Sequence, residues 1–107
     1  MINPRRGEIE AVIGGHKRRL CLTLGALAGL ETRFGAGDLG ELADRFEKGR
    51  ISAQDLAAII AAGLAGGGDP MNEEDLLATP IEGGIEGAAR IALALLTAAF
   101  GTDRDQA

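Results

Sequence analysis

The chain has 107 residues, a formal charge of −5 and 46% hydrophobic residues, with three Phe and neither Trp nor Tyr. Such a length fits one folding unit of ordinary stability, about 5–15 kcal/mol, and the acidic balance argues against a nucleic-acid binder, which needs a basic face to displace counterions from phosphate. One cysteine, Cys21, excludes an internal disulfide framework.

Residues 1–6 read as a loose leader; Arg5 and Arg6 precede no apolar run, so no signal peptide is expected and a cytoplasmic location follows. Residues 7–23 read as a β-hairpin. Ile9, Ala11 and Ile13 alternate onto one face, Gly14-Gly15 supplies a tight turn, and Leu20 and Leu22 point inward on the return strand. A lone hairpin is marginal in water, so its apolar face needs a cover.

Residues 24–100 read as helical. Leu24, Leu27, Leu30 and Phe34 form the first stripe, capped by Thr23 and stopped at Gly35. A second helix starts at Asp38, buries Leu39, Leu42, Ala43 and Phe46, and ends at Gly49 with Lys48 at its negative end. Ser52 and Asp55 open a third, with Leu56, Ile59, Ile60 and Leu64 as its stripe, broken by Gly66-Gly67-Gly68-Asp69-Pro70. Asn72 starts a short fourth helix through Leu77 that finishes before Pro80. The last runs from Ile85 to Phe100 and buries Ile85, Ala88, Ala89, Ala92, Leu95, Leu96 and Ala99. Residues 101–107 are polar and fray. The expected fold is α+β, mainly α: one domain over 1–107, with the hairpin packed on a compact bundle of four to five short helices. No stretch is apolar for long enough to span a membrane.

Glycines inside the expected helices cost stability. Gly25, Gly29, Gly40 and Gly63 each cost about 0.5–1 kcal/mol relative to Ala. Close helix packing, a malleable protein that tightens on a partner, and a Gly/Ala-rich composition all remain open as reasons.

Chemistry is sparse. His16 is the one histidine, flanked by Lys17, Arg18 and Arg19 beside the turn; a general base needs an orienting partner and a metal site needs three or four ligands. The run His16 to Arg19 reads as a solvated hairpin tip. Cys21 alternates out of phase with Leu20 and Leu22 and lacks a nucleophile motif. Glu8 and Glu10 face the basic return strand, which reads as cross-strand charge pairing. Gly66-Gly67-Gly68 and Gly83-Gly84 lack the Gly-Lys-Ser/Thr of a phosphate loop and do not join a strand to a helix. No enzyme, cofactor or metal site is expected. Apolar helical faces and a hairpin edge are the equipment of a protein that binds proteins.

The order of segments carries a resemblance. Asn3-Pro4, Arg6-Gly7-Glu8, Leu22-Thr23-Leu24-Gly25-Ala26-Leu27-Ala28, Leu30-Glu31 and Phe34-Gly35 are followed by Asp38-Leu39, Arg45-Phe46, Gly49-Arg50, Ser52-Ala53, Asp55-Leu56 and Ala62-Gly63-Leu64. This pattern resembles the gene transfer agent family of small phage-tail proteins, a group similar to the tail assembly chaperones of siphophages. The resemblance implies a non-catalytic chaperone that binds the tape-measure protein during tail assembly. A structural tail component (tube or connector) is the alternative, and a generic interaction module the third reading. Expected partners are the tape-measure and other tail proteins, with homo-oligomerisation left open, and neither nucleic acid nor membrane. Partner contacts are assigned to the hairpin edge at Leu20 and Leu22 and to Leu64 and Leu96 on the third and last helices.

Overall fold

The computed structural model describes residues 7–35, 41, 44–46 and 48–99. Strands β1 (Glu8–Ile13) and β2 (His16–Cys21) form an antiparallel two-stranded sheet with Ile13 opposite His16 and Glu8 opposite Cys21. Gly14 and Gly15 connect them at φ 65° and 82°, the two positive values that a two-residue type I′ hairpin turn demands. Ile9, Ala11 and Ile13 share the inner face with Leu20 and, by the same register, with Arg18. Ile13 and Leu20 are fully buried, and Leu22, just past β2, is nearly so.

Helix α1 (Leu24–Phe34) begins where Thr23 Oγ1 accepts the Ala26 N–H at 3.0 Å. It ends at Gly35, whose left-handed φ of 66° lets its N–H turn back to the last carbonyls. Leu27, Leu30 and Phe34 are buried, but Leu24 is 83% exposed. Helical geometry explains the departure from the expected stripe: at 3.6 residues per turn Leu24 lies roughly 90° from the mean direction of the other three.

Of the second expected helix, Glu41 and residues 44–46 are helical, Phe46 packs half-buried on the core, and Gly49 takes φ 70° beyond its end. Its expected start at Asp38 and its Leu39, Leu42 and Ala43 lie outside the described residues, as do residues 1–6 and 100–107.

Helix α2 (Ala53–Gly66) opens with a complete capping box: Ser52 Oγ accepts the Asp55 N–H at 3.1 Å and Asp55 Oδ2 accepts the Ser52 N–H at 3.0 Å. Its whole middle is buried, Leu56 through Ile60 and then Gly63 and Leu64. A helix apolar around so much of its circumference belongs between other elements, and α2 packs on α1, on β2 and on the last helix. Short α3 (Glu73–Leu77) is capped by Asn72, whose Oδ1 accepts the Asp75 N–H at 2.7 Å.

Helix α4 (Gly84–Ala99) buries Ala88, Ala92, Leu95 and Leu96. Ile85, expected inside, is 59% exposed; it points along the buried stripe but sits in the first turn, over an open pocket. Gly63 is where α2, α4 and β2 meet. A Cβ there would come 2.6 Å from Leu95 Cδ1 and 3.3 Å from Leu20 Cβ, so this glycine permits a close crossing. Loop residue Ile81 makes a single antiparallel bridge to Ile13, and the Gly14 N–H donates to the Pro80 carbonyl at 3.0 Å. The result is the expected mainly helical α+β architecture, a hairpin laid on a helical bundle around one buried apolar cluster.

Candidate protein-binding surface

The residues assigned to partner contacts are core residues. Leu20, Leu22, Leu64 and Leu96 are 0%, 6%, 0% and 1% exposed and join one cluster with Ile13, Ile59, Ile60 and Leu95. Leu64 and Leu96 are therefore not the exposed apolar positions expected. They lie on the helix faces turned toward each other and the sheet, where fully burying each contributes about 1.5–3 kcal/mol.

The β2 edge is also closed. In a two-residue hairpin the turn-flanking pair is hydrogen-bonded and the pairs then alternate, so the carbonyls of Arg19 and Cys21 turn away from β1. Gly66 and Gly67, at the end of α2, lie against those carbonyls so closely that a Cβ on either would collide with them. Arg19 Nη2 adds a 3.4 Å hydrogen bond to the Gly67 carbonyl. The glycine run expected only to stop a helix thus seals a strand edge.

The basic run divides in two. His16 and Lys17 are exposed at the tip, but Arg18 turns onto the inner face. Its Nε donates to the Ile13 carbonyl at 2.9 Å and its Nη1 to Asp69 Oδ2 at 2.7 Å. Register was the available signal: Arg18 has the parity of Leu20. Glu10 stands opposite Arg19 and Glu8 opposite Cys21, so the register sets an acid directly across from a base at Glu10.

What remains exposed and apolar lies elsewhere. Leu77 and Ile85, 52% and 59% exposed, rim an apolar pocket of about 190 Å³ floored by Leu56, Ala57, Ile60 and Ala88. A groove of about 310 Å³ runs between β1 and α4, beside Glu10, Val12, Ile91 and Ala94. Another of about 520 Å³, lined by Ala26, Gly29, Ala58 and Ala62, separates α1 from α2; it is bounded by the 2.8 Å ion pair Arg33–Glu73. The sequence did not point to Leu77, because a five-residue helix has too few turns to show which side is covered.

His16 and Cys21 sit at opposite ends of β2, His16 exposed and Cys21 half-buried. Among the described residues no group of three or more His, Cys, Asp or Glu is placed to hold a metal ion, and no helix is long and apolar enough to cross a membrane.

The family described as phage tail tube protein, GTA-gp10, matches residues 6–102. The chain belongs to this family. Neither the curated proteins nor the solved structures give a match. As a GTA-gp10 family member it is a phage-tail protein, as the order of segments implied. The family's description names the tail tube, the structural alternative expected from the sequence, and not an assembly chaperone.

Proposed function

We propose that this GTA-gp10 family protein is a non-catalytic component of the phage tail tube that works by binding other tail proteins. The observation that carries the reading is the family match across residues 6–102. The exposed side chains agree with a binding role: apolar residues such as Leu77 and Ile85 rim concave surfaces, whereas His16 and Cys21 are separated along β2. The partners are neighbouring subunits or connectors of the tail.

One observation favours a second reading, a chaperone that holds the tape-measure protein and then leaves. Among the described residues the sheet has two strands, and one edge is sealed by Gly66 and Gly67. A closed ring built by strand pairing needs more sheet than that.

Quantitative mass spectrometry of purified particles separates the two. A tube component is present in many copies per particle, and deleting its gene leaves heads without tubes. A chaperone is absent from particles and co-purifies with the tape-measure protein from lysates instead. Loss of neither tails nor tail-protein contacts on deletion would overturn both.

A further inference from the structure

We propose that the outer edge of β1 accepts an extended segment of another protein, one whose exposed face carries basic residues at alternate positions. This deepens the tail reading by naming the kind of segment bound, and it rests on that reading only for where the partner is found.

The edge follows from the register. With Ile13–His16, Ala11–Arg18 and Ile9–Leu20 as the hydrogen-bonded pairs, the N–H and C=O of Glu10 turn outward, away from β2. Near the tip this edge is stopped by the Ile81 bridge. At Glu10 no backbone hydrogen bond from that side is found among the described residues. The groove of about 310 Å³ beside it is walled on the α4 side by Gly87, Ile91 and Ala94, whose small or apolar side chains leave room for the inner-face residues of an added strand.

Charge selects the occupant. Among the described residues that line the groove, the carboxylates of Glu10 and Glu82 stand against the guanidinium of Arg90. Arg90 folds back over Gly83, where a Cβ would lie 2.9 Å from its Nη2. A second copy is a poor occupant. Two β1 strands paired antiparallel about Glu10 set carboxylate against carboxylate, and like charges directly opposed destabilise a sheet. A copy's β2 is closed by its own Gly66 and Gly67. A strand with Lys or Arg outward instead repeats, on the other side of β1, the relation of Glu10 to Arg19 in the hairpin. Backbone hydrogen bonds supply the attachment and alternate side chains the choice of partner.

The test uses the full chain and capped peptides of about ten residues, alternating Lys with Val or Glu with Val. The expected results are binding of the Lys–Val peptide with slowed hydrogen exchange at the Glu10 amide, weakening as salt rises, and about tenfold weaker binding of the Glu–Val peptide. Glu10→Pro removes the outward donor while sparing the ladder to β2, as edge strands tolerate; binding should fall about tenfold or more with the hairpin amide signals retained. Glu10→Lys, which needs no backbone change, should reverse the order of the two peptides. Equal affinity for the two peptides, no slowed exchange at Glu10, or unchanged peptide preference in Glu10→Lys would each overturn the proposal. Peptide binding at this edge in a protein that proves dispensable for tails would sink the tail reading alone.

Discussion

Arg18 and Asp69, 51 positions apart in sequence, meet at 2.7 Å and tie the inner face of the hairpin to the loop behind α2. Their side chains are 17% and 50% exposed, so the ion pair itself is solvent-screened and contributes at most about 1 kcal/mol. Arg18 does more, since its Nε gives the Ile13 carbonyl a part-buried hydrogen bond beside the one it accepts in the hairpin ladder. Asp69→Ala should therefore cost under about 1 kcal/mol. Arg18→Ala should cost about 1–2 kcal/mol, the pair plus a part-buried hydrogen bond. Urea midpoints for the two variants check the ranking; equal losses would mean that the Ile13 bond contributes nothing.

Three glycines should respond to the same substitution with opposite signs. Gly29 faces open space within α1, so Gly29→Ala should raise stability by about 0.5–1 kcal/mol. At Gly63 the Leu95 methyl must give way, and overpacking of about 1–3 kcal/mol outweighs the helical gain. At Gly67 the obstacle is the backbone of β2, which cannot swing aside, and Gly67→Ala should be the most damaging. Chemical denaturation at unchanged m-value reads all three.

Leu64→Asp and Leu96→Asp should abolish cooperative unfolding, because each sets a charge in a site at most 1% exposed. Leu64→Ala should cost about 2–5 kcal/mol. Leu93→Lys, at a position 48% exposed, should change the thermal midpoint little. A binding defect in the first two is a folding defect, so surface mapping belongs at Leu77 and Ile85. Leu77→Glu and Ile85→Glu should retain the melting transition and weaken association with tail proteins in co-purification; full binding by both would remove the apolar pocket from the interface.

The capping box at the start of α2 provides a local check. Ser52→Ala leaves the Asp55 N–H without its acceptor and should cost about 0.5–2 kcal/mol, read as a lowered thermal midpoint.

What the sequence made legible was local. Gly14-Gly15, Ser52 with Asp55, Asn72 and the spacing of Leu56, Ile59, Ile60 and Leu64 each act within a few residues, so hairpin, caps and central helix could be read directly. Leu24 and Ile85 showed the limit: apolar spacing reports a direction around a helix but not how far along it the neighbours reach. The surface was illegible for the same reason in three dimensions. Leu20, Leu64 and Leu96 had an apolar pattern equally suited to a core or a partner, and only the packing of α2, α4 and β2 around Gly63 decides between them. Nor does anything near Gly66 or Gly67 announce that they rest on β2, more than forty positions upstream.

The packing of Leu20 beneath Gly63 and Leu95 also sets an order of events during synthesis. The hairpin leaves the ribosome well before α4 does, and at roughly 5–20 residues per second it waits for several seconds with only α2 to cover part of its greasy side. Native assembly is consequently completed from the C-terminal direction. A nascent chain halted short of Leu95 could lay its hairpin on α2 alone, with the side of Leu20 and Gly63 that Leu95 covers left bare and open to premature aggregation or to capture by a cellular holdase.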